Sequence, residues 1–154
     1  MNVGPPQAPR IRNKKAAFKF EILERLEAGI ALTGSEVKSL RAGQASLDEA
    51  YAVIRGDQAY LRDCNISPYP QAGYAQHAAT RERKLLLHRR EIRRLHKRVA
   101  ERGLTLVPME MYFNERGILK VRLALCRGKK LHDKRADIKK RDQERDIRRT
   151  LRRK

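Results

Sequence analysis

Residues 104–126 read LTLVPMEMYFNERGILKVRLALC. Two apolar runs, 104–113 and 118–126, flank the turn Asn114-Glu115-Arg116-Gly117, which predicts a β-hairpin. In the second run Leu119, Val121, Leu123 and Leu125 share one face. Lys120 and Arg122 share the other, with the small Ala124 beside them, as the two-residue period of a strand requires. One buried and one solvated face mark an antiparallel sheet over a core.

A second hairpin is predicted upstream. AYAVIRG (50–56) and QAYLRDCNI (58–66) are joined at Arg55-Gly56-Asp57. Earlier still, AFKFEILERLEAGI (17–30) places Phe18, Phe20 and Ile22 at alternate positions, a strand signal. Leu23 and Leu26 break the alternation and predict a bulge or bend. Between the hairpins, SPYPQAGYAQHAATRER (67–83) is rich in Pro, Gly and small residues and reads as a loop. A helix is predicted next: in KLLLHRREIRRLHKRVAERG, Leu85, Ile92, Leu95 and Val99 recur at helical spacing, and Gly103 stops it. At least five strands, mostly hairpin-connected, with two inserted helices in a short chain predict a small closed or nearly closed barrel, which leaves few open sheet edges.

The other helix is TGSEVKSLRAG (33–43). Thr33 and Glu36 have capping-box spacing, and Gly43 suits the left-handed residue after the last turn. Val37 and Leu40 form a small apolar face; Lys38 and Arg41, three apart, share another. So short a helix does not persist alone. Pinned at both ends, it presents two cations rigidly. The plainer alternative is a barrel plug with a solvated outer face, in which Glu36 only caps.

Lys and Arg number 37 against 18 Asp and Glu, a formal net charge of +19. That excess implies a polyanionic partner. No apolar run approaches the roughly 20 residues of a membrane span, and MNVGPPQAPRIRNKK lacks the apolar core of a secretory signal. No membrane association is expected, and a cytoplasmic location is. Cys64 and Cys126 lie in apolar stretches and read as small core residues. Residues 1–12, with Pro5, Pro6 and Pro9, read as a flexible arm, 13–130 as the barrel and 131–154 as a basic tail. From Arg127 onward, 14 basic and 5 acidic residues fall in 28 positions. Self-repulsion opposes a compact form there, and Ile138 and Ile147 lie on opposite sides of a helix. Disorder in isolation and helix formation against a polyanion are expected, with Asp133 a candidate N-cap.

The histidines, His77, His88, His96 and His132, show no metal-ligand spacing. No nucleophile elbow, phosphate-binding loop or paired-carboxylate signature is present. No catalytic residue, metal or cofactor is expected. Arg81, Arg83 and Lys84 are candidate phosphate contacts; a solvated basic loop is their alternative. For the Arg-rich run 89–98 a solvated face is preferred.

Three motifs in this order, GSEVKSLRAG, RKLLLHRREI and GKKLHDKR, resemble the SmpB family, the SsrA-binding proteins, over about residues 13–140. The resemblance implies an OB-type barrel with inserted helices. It implies binding to the tRNA-like domain of transfer-messenger RNA and the rescue of stalled bacterial ribosomes by trans-translation. By matched position it assigns RNA contact to Glu27 in EAGIALTG, Leu86 in KLLLH, Lys120 in LKVRL and Asn13 at the head of the first strand. The expected RNA-binding set is therefore Asn13, Glu27, Glu36, Lys38, Arg41, Arg81, Arg83, Lys84, Leu86 and Lys120. The alternative for Glu27 is an ion pair with a neighbouring Arg. The resemblance further assigns His132, Asp133, Lys134 and Arg135, with Lys129 and Lys130 beside them, to the ribosome, and places the tail in the decoding centre and mRNA channel. Stacking on an exposed rRNA base is the role expected of His132. A monomer is expected, with alanyl-tRNA synthetase and elongation factor Tu as indirect partners. Ala78-Ala79 stands where family members often carry Asp-Pro, which implies a looser loop, and Ser35 where they often carry Thr or an aromatic. The rival readings are a structural ribosomal protein or general translation factor on a similar barrel, and a barrel nuclease.

Overall fold

The long hairpin closes the molecule. In the computed structural model, which describes residues 8–129 and 131–152 apart from the side chains of 101, 102, 131–134, 136 and 137, β8 (Thr105–Phe113) pairs with β9 (Leu119–Gly128) along almost its whole length. The turn is tied by Asn114, whose Oδ1 accepts from the N–H groups of Arg116 and Ile118 at 3.0 and 2.9 Å. Gly117 takes φ +75°, which a side chain would resist.

The remaining strands are β1 (Ile11–Arg12), β2 (Phe20–Ile30), β3 (Ala45–Ser46), β4 (Tyr51–Arg55), β5 (Gln58–Arg62), β6 (Asn65–Ile66) and β7 (Arg83–Leu86). The order β8-β4-β5-β7-β2-β9 returns to β8, so six antiparallel strands form a ring, with β1 lying beside β8; β3 and β6 pair separately. This is the closed OB-type barrel expected. Among the described residues four α-helices accompany it: α1 (Ala16–Lys19), α2 (Gly34–Arg41), α3 (Arg89–Arg102) and α4 (Leu131–Arg152).

The alternation read from β9 is realised. Leu119, Val121, Leu123 and Leu125 point into the main core with Leu61, Leu85, Leu106 and Met111. On the opposite face Ala124 and Cys126 form a smaller cluster with Ala16 of α1 and Val107, so that face is covered at one end and open at the other. The predicted bulge in β2 is present as a register shift between Ile22 and Glu24, and Leu23 is exposed there.

Several expectations are corrected. Phe18 belongs to α1, and β2 starts at Phe20. Residues 83–86 are a strand, not the end of the loop and the start of the helix; Leu85 faces the barrel core, and α3 begins at Arg89 after a capping box between His88 and Glu91. The two periods share leucines, so apolar spacing alone could not separate them. Gly103 does end α3, at φ +60°. Ile11 and Arg12, assigned to the arm, form β1, because Ile11 buries its side chain beside Met111. The rest of the arm, 1–7, and Lys130 lie outside the described residues. Asp133 lies within α4, which starts at Leu131.

The short helix α2 is anchored from below. Glu36 is fully buried, and its Oε1 accepts the Thr33 N–H at 2.9 Å and Arg81 at 2.5 Å. Its Oε2 accepts from Nε of Arg83, also fully buried. The rest of the Arg83 guanidinium donates to the carbonyls of Cys64 (2.7 Å), Arg81 (3.1 Å) and Ala79 (3.1 Å). The loop 67–82 is therefore fixed to α2 and β7 through its carbonyls, and Ala79 also accepts from Ile66 N–H at 2.9 Å. The looser loop expected from Ala78-Ala79 is not found, since backbone oxygens supply the hold and any residue has those. The Ser35 hydroxyl bonds His77 Nδ1 at 2.8 Å, and His77 Nε2–H donates to Ile66 O at 2.9 Å.

Burial works against ionisation of Glu36, yet Arg81, the Thr33 N–H and Arg83 outweigh it and hold the carboxyl below the usual range. A depressed carboxyl contributes stability that is present above the ordinary glutamate pKa, about 4.3, and is lost as pH falls through the folded value. Urea unfolding should thus show Glu36→Gln costing about 3–5 kcal/mol at pH 7, because Arg83 is left buried and unpaired, with the gap to the parent narrowing in acid. Cys64 and Cys126 are fully buried, which pushes both thiols up to about 11. Native protein at pH 8 should leave a disulfide-exchange reagent unreacted, and urea should release two thiols per chain.

Candidate RNA-binding surface

Register on the outside of the barrel assembles residues far apart in sequence. Leu86 of β7 lies opposite Gly29 of β2, Gly29 opposite Lys120 of β9, and Lys120 opposite Tyr112 of β8. Two residues further along, Glu27 lies opposite Arg122, Arg122 opposite Glu110, and Glu110 opposite Arg12 of β1. Two adjacent rows thus cross the sheet on one face.

The first row has an apolar floor. A Cβ on Gly29 would come within 3.2 Å of Leu86 Cβ, so glycine here lets the leucine lie across the strand. Leu86 remains 53% exposed despite its apolar side chain. Among the described residues Lys120 makes no ion pair, whereas neighbouring cations do.

The second row is a charge network. Tyr112 donates its hydroxyl to Glu27, and this bond to a carboxylate, with some burial, raises the phenol above its ordinary range. The guanidiniums of Arg122 and Arg10 sit 4.9 and 5.2 Å from the Tyr112 ring centre. Glu110 is shared by Arg10 (3.0 Å), Arg122 (3.6 Å) and Arg12 (3.9 Å). Glu27 is exposed and is held by a phenol, so its second oxygen can accept from a ligand donor. Among the described residues no Arg lies within ion-pair distance of Glu27, although Arg122 opposite it feels its charge.

α2 adds to this surface at the hairpin end. Arg41 is exposed, with its guanidinium 4.7 Å over the ring of Phe113, next in sequence to Tyr112. Lys38, also exposed, lies one helical turn away and 5.4 Å over Tyr69. Lys84 is exposed on β7, opposite Tyr60.

Three expected contacts are corrected, and a fourth, Arg81, is turned inward. Glu36 and Arg83 have no exposed surface and cannot touch RNA; their chemistry is consumed by the internal ion pair. Asn13 is only 7% exposed; its Nδ2 donates to Pro108 O at 2.9 Å and its N–H to Met109 O at 2.8 Å, joining the start of the barrel to β8. Arg81 is partly exposed, but its guanidinium is turned to Glu36 and to the Glu82 carbonyl. Lys129 Nζ donates to Ala17 O at 2.9 Å, and Arg135 is exposed on α4. Lys130 and the side chains of His132, Asp133 and Lys134 lie outside the described residues.

Tyr112, Arg122 and Glu110 were missed by sequence reasoning. Arg122 had a signal, since it alternates with Lys120. Tyr112 and Glu110 needed the hairpin register, which the shift between Pro108 and Glu110 hides. Glu24 of β2 pairs with Arg94 (2.5 Å) and Arg98 (3.0 Å) of α3, while Arg89, Arg90, Arg93 and Lys97 face solvent. Among the described residues no three His, Cys, Asp or Glu side chains are grouped to hold a metal, and no helix is long and apolar enough to cross a membrane.

Known proteins share this sequence and architecture. The family model described as SmpB protein matches residues 10–153. The SsrA-binding protein of Oleidesulfovibrio alaskensis is 54% identical over 140 residues, covering 91% of this chain and 90% of the relative. That of Chlorobaculum tepidum is 50% identical over 143 residues, covering 93% and 91%. A solved chain from "tmRNA-SmpB: a journey to the center of the bacterial ribosome" superimposes with a TM-score of 0.68 at 51% identity, covering 80% of this chain and 87% of that one. With a matching family model, relatives at half identity and the same barrel, this chain belongs to the SmpB family.

Proposed function

We infer that this chain binds the tRNA-like domain of transfer-messenger RNA and delivers that RNA to stalled ribosomes for trans-translation. The observation that carries the reading is the row Leu86–Gly29–Lys120 beside Glu27: three residues assigned to RNA by family position, from three different strands, meet on one open face. Their chemistry is complementary to folded RNA. Lys120 and Arg41 neutralise phosphates, Glu27 accepts from a base amino group or 2′-OH, and exposed Leu86 offers a flat apolar contact. Glu36 and Arg83 serve this face indirectly by fixing α2, and Asn13 by fixing β1 against β8.

The ribosomal role belongs to α4. It is exposed at every described position from 138 to 152, and it meets α1 where Arg141 lies 5.0 Å over the Phe18 ring. A lone, strongly basic helix of this kind has little to hold it. The tail exchanges between helix and open chain in the free protein and becomes stably helical against the rRNA of the decoding centre and mRNA channel. Lys129, Lys130 and the His132–Arg135 motif stand at its root. The protein acts as a cytoplasmic, monomeric, non-enzymatic factor, with alanyl-tRNA synthetase and elongation factor Tu acting on the same RNA.

Filter binding of transfer-messenger RNA should lose at least about tenfold affinity, or 1.4 kcal/mol, on Lys120→Glu, with a salt slope lower by about 1. An unchanged dissociation constant at fixed salt removes Lys120 from the interface. Tyr112→Phe should weaken binding less than Glu27→Ala, since it frees the carboxylate without deleting it; the reverse order would make Tyr112 the contact. Deletion of 133–154 should abolish tagging of stalled peptides while RNA capture persists, and equal loss of both refutes the division between barrel and tail. Co-purification with ribosomes without preference for transfer-messenger RNA would favour a structural ribosomal protein.

A further inference from the structure

The junction of α1 and α4 gathers an excess of cations around an aromatic ring. A groove of about 350 Å³ on one side of Phe18 is lined by Lys14, Lys15, Arg141 and Arg145, with Ile138 at its wall. A second, of about 320 Å³, lies against the same ring and is lined by Lys14, Lys140 and Arg141, with Lys129 at its base. The acidic residues among the linings are Asp142 in the first and Glu144 in the second. Among the described residues Lys14, Lys140 and Arg145 make no ion pair, whereas Lys15 reaches Glu49 at 4.0 Å. Arg141 lies over the half-buried Phe18 ring.

Cations gathered on both walls repel one another, and a single exposed cation–π contact does not offset several such repulsions. A chain of phosphates running between the walls would convert that repulsion into attraction. An aromatic ring at the centre of a basic groove is the arrangement by which single-stranded nucleic acid is held, with phosphates on the cations and a base on the ring. The barrel face differs in kind, because Lys120 stands there beside a carboxylate and an apolar floor suited to a folded surface.

We propose that the α1–α4 junction is a binding site for a single-stranded RNA segment, in which Lys14, Lys140 and Arg145 hold phosphates and Phe18 receives a base in the place Arg141 occupies. The inference rests on the RNA-binding reading above and adds a second site to it. Its consequence is mechanical: a strand lying in the junction screens the root of the tail and fixes the direction in which α4 leaves the barrel.

The test uses the full chain and a fluorescein-labelled uridine dodecamer, followed by anisotropy across a salt series. The triple variant Lys14→Gln, Lys140→Gln, Arg145→Gln should lose at least about tenfold affinity, with a log–log salt slope lower by about 2, at roughly 0.7 per phosphate contact. Phe18→Leu keeps an apolar side chain and should lose about fivefold, the lower end of what base stacking contributes. Thermal melts that match the parent establish that both variants fold. A blunt RNA duplex of equal length, whose bases cannot reach the ring, should bind more weakly than the dodecamer. Lys120→Gln should leave dodecamer binding within about twofold while weakening transfer-messenger RNA. Parent-like dodecamer affinity in the triple variant and Phe18→Leu overturns the site. Equal binding of duplex and single strand overturns the role of Phe18. Dodecamer loss in Lys120→Gln would place the strand on the barrel instead. Failure of the barrel-face reading is seen separately, as Lys120→Gln with unchanged transfer-messenger RNA affinity.

Discussion

The molecule is organised around one carboxylate. Glu36 receives Arg83 and Arg81 from the β7 side and the Thr33 N–H from its own helix. Through Arg83 the same group gathers the carbonyls of Cys64, Ala79 and Arg81. Two fully buried opposite charges cannot be separated cheaply, since each would be left in a medium that solvates it poorly. The pair therefore specifies where α2 sits, where the loop 67–82 runs and where β7 enters the ring. The exposed cations Lys38 and Arg41, and the neighbours Lys84 and Leu86, are placed by that choice. A surface that rests on so short a helix needs such an anchor, because eight residues have no independent stability.

Charge is divided by location rather than spread evenly. On the barrel face carboxylates punctuate the cations: Glu27 is held by Tyr112, and Glu110 is shared by Arg10, Arg12 and Arg122. Mixed charge of this kind orients side chains and reads shape as well as polyanionic character. On α4 and its junction with α1, Lys14, Lys140 and Arg145 make no ion pair among the described residues, which favours phosphate attraction over discrimination. The same chain thus carries one surface suited to recognising a particular folded RNA and another suited to gripping RNA wherever it is encountered.

Most of the barrel was legible in the sequence because strand alternation is strict in β9 and the turns carry glycine and asparagine where the backbone needs them. The capping box of α2 and the bulge near Leu23 could also be read locally. What could not be read depends on register and burial. Arg83 and Lys84 are adjacent basic residues, yet one is fully buried and the other exposed, because a strand sends neighbours to opposite faces and reading 67–83 as loop and 84 onward as helix concealed that strand. Asn13 and Glu36 likewise look like surface polar groups until their partners, Pro108 and Arg83, are known to be close. Glu27, Leu86 and Lys120 came from family position, and only the sheet register shows that they lie together on one face. Tyr112 lay outside every local motif.

The central claim is that folded RNA is gripped on the outer face of β7, β2, β9 and β8. Hydrogen–deuterium exchange of the full chain, with and without the tRNA-like domain of transfer-messenger RNA, tests it most directly. The account predicts slowed exchange at the backbone amides around Leu86, Gly29, Lys120 and Tyr112 and in α2, with the β4–β5 hairpin unchanged. Protection confined to β4–β5 or to α4, with those four positions exchanging as in the free protein, would contradict it.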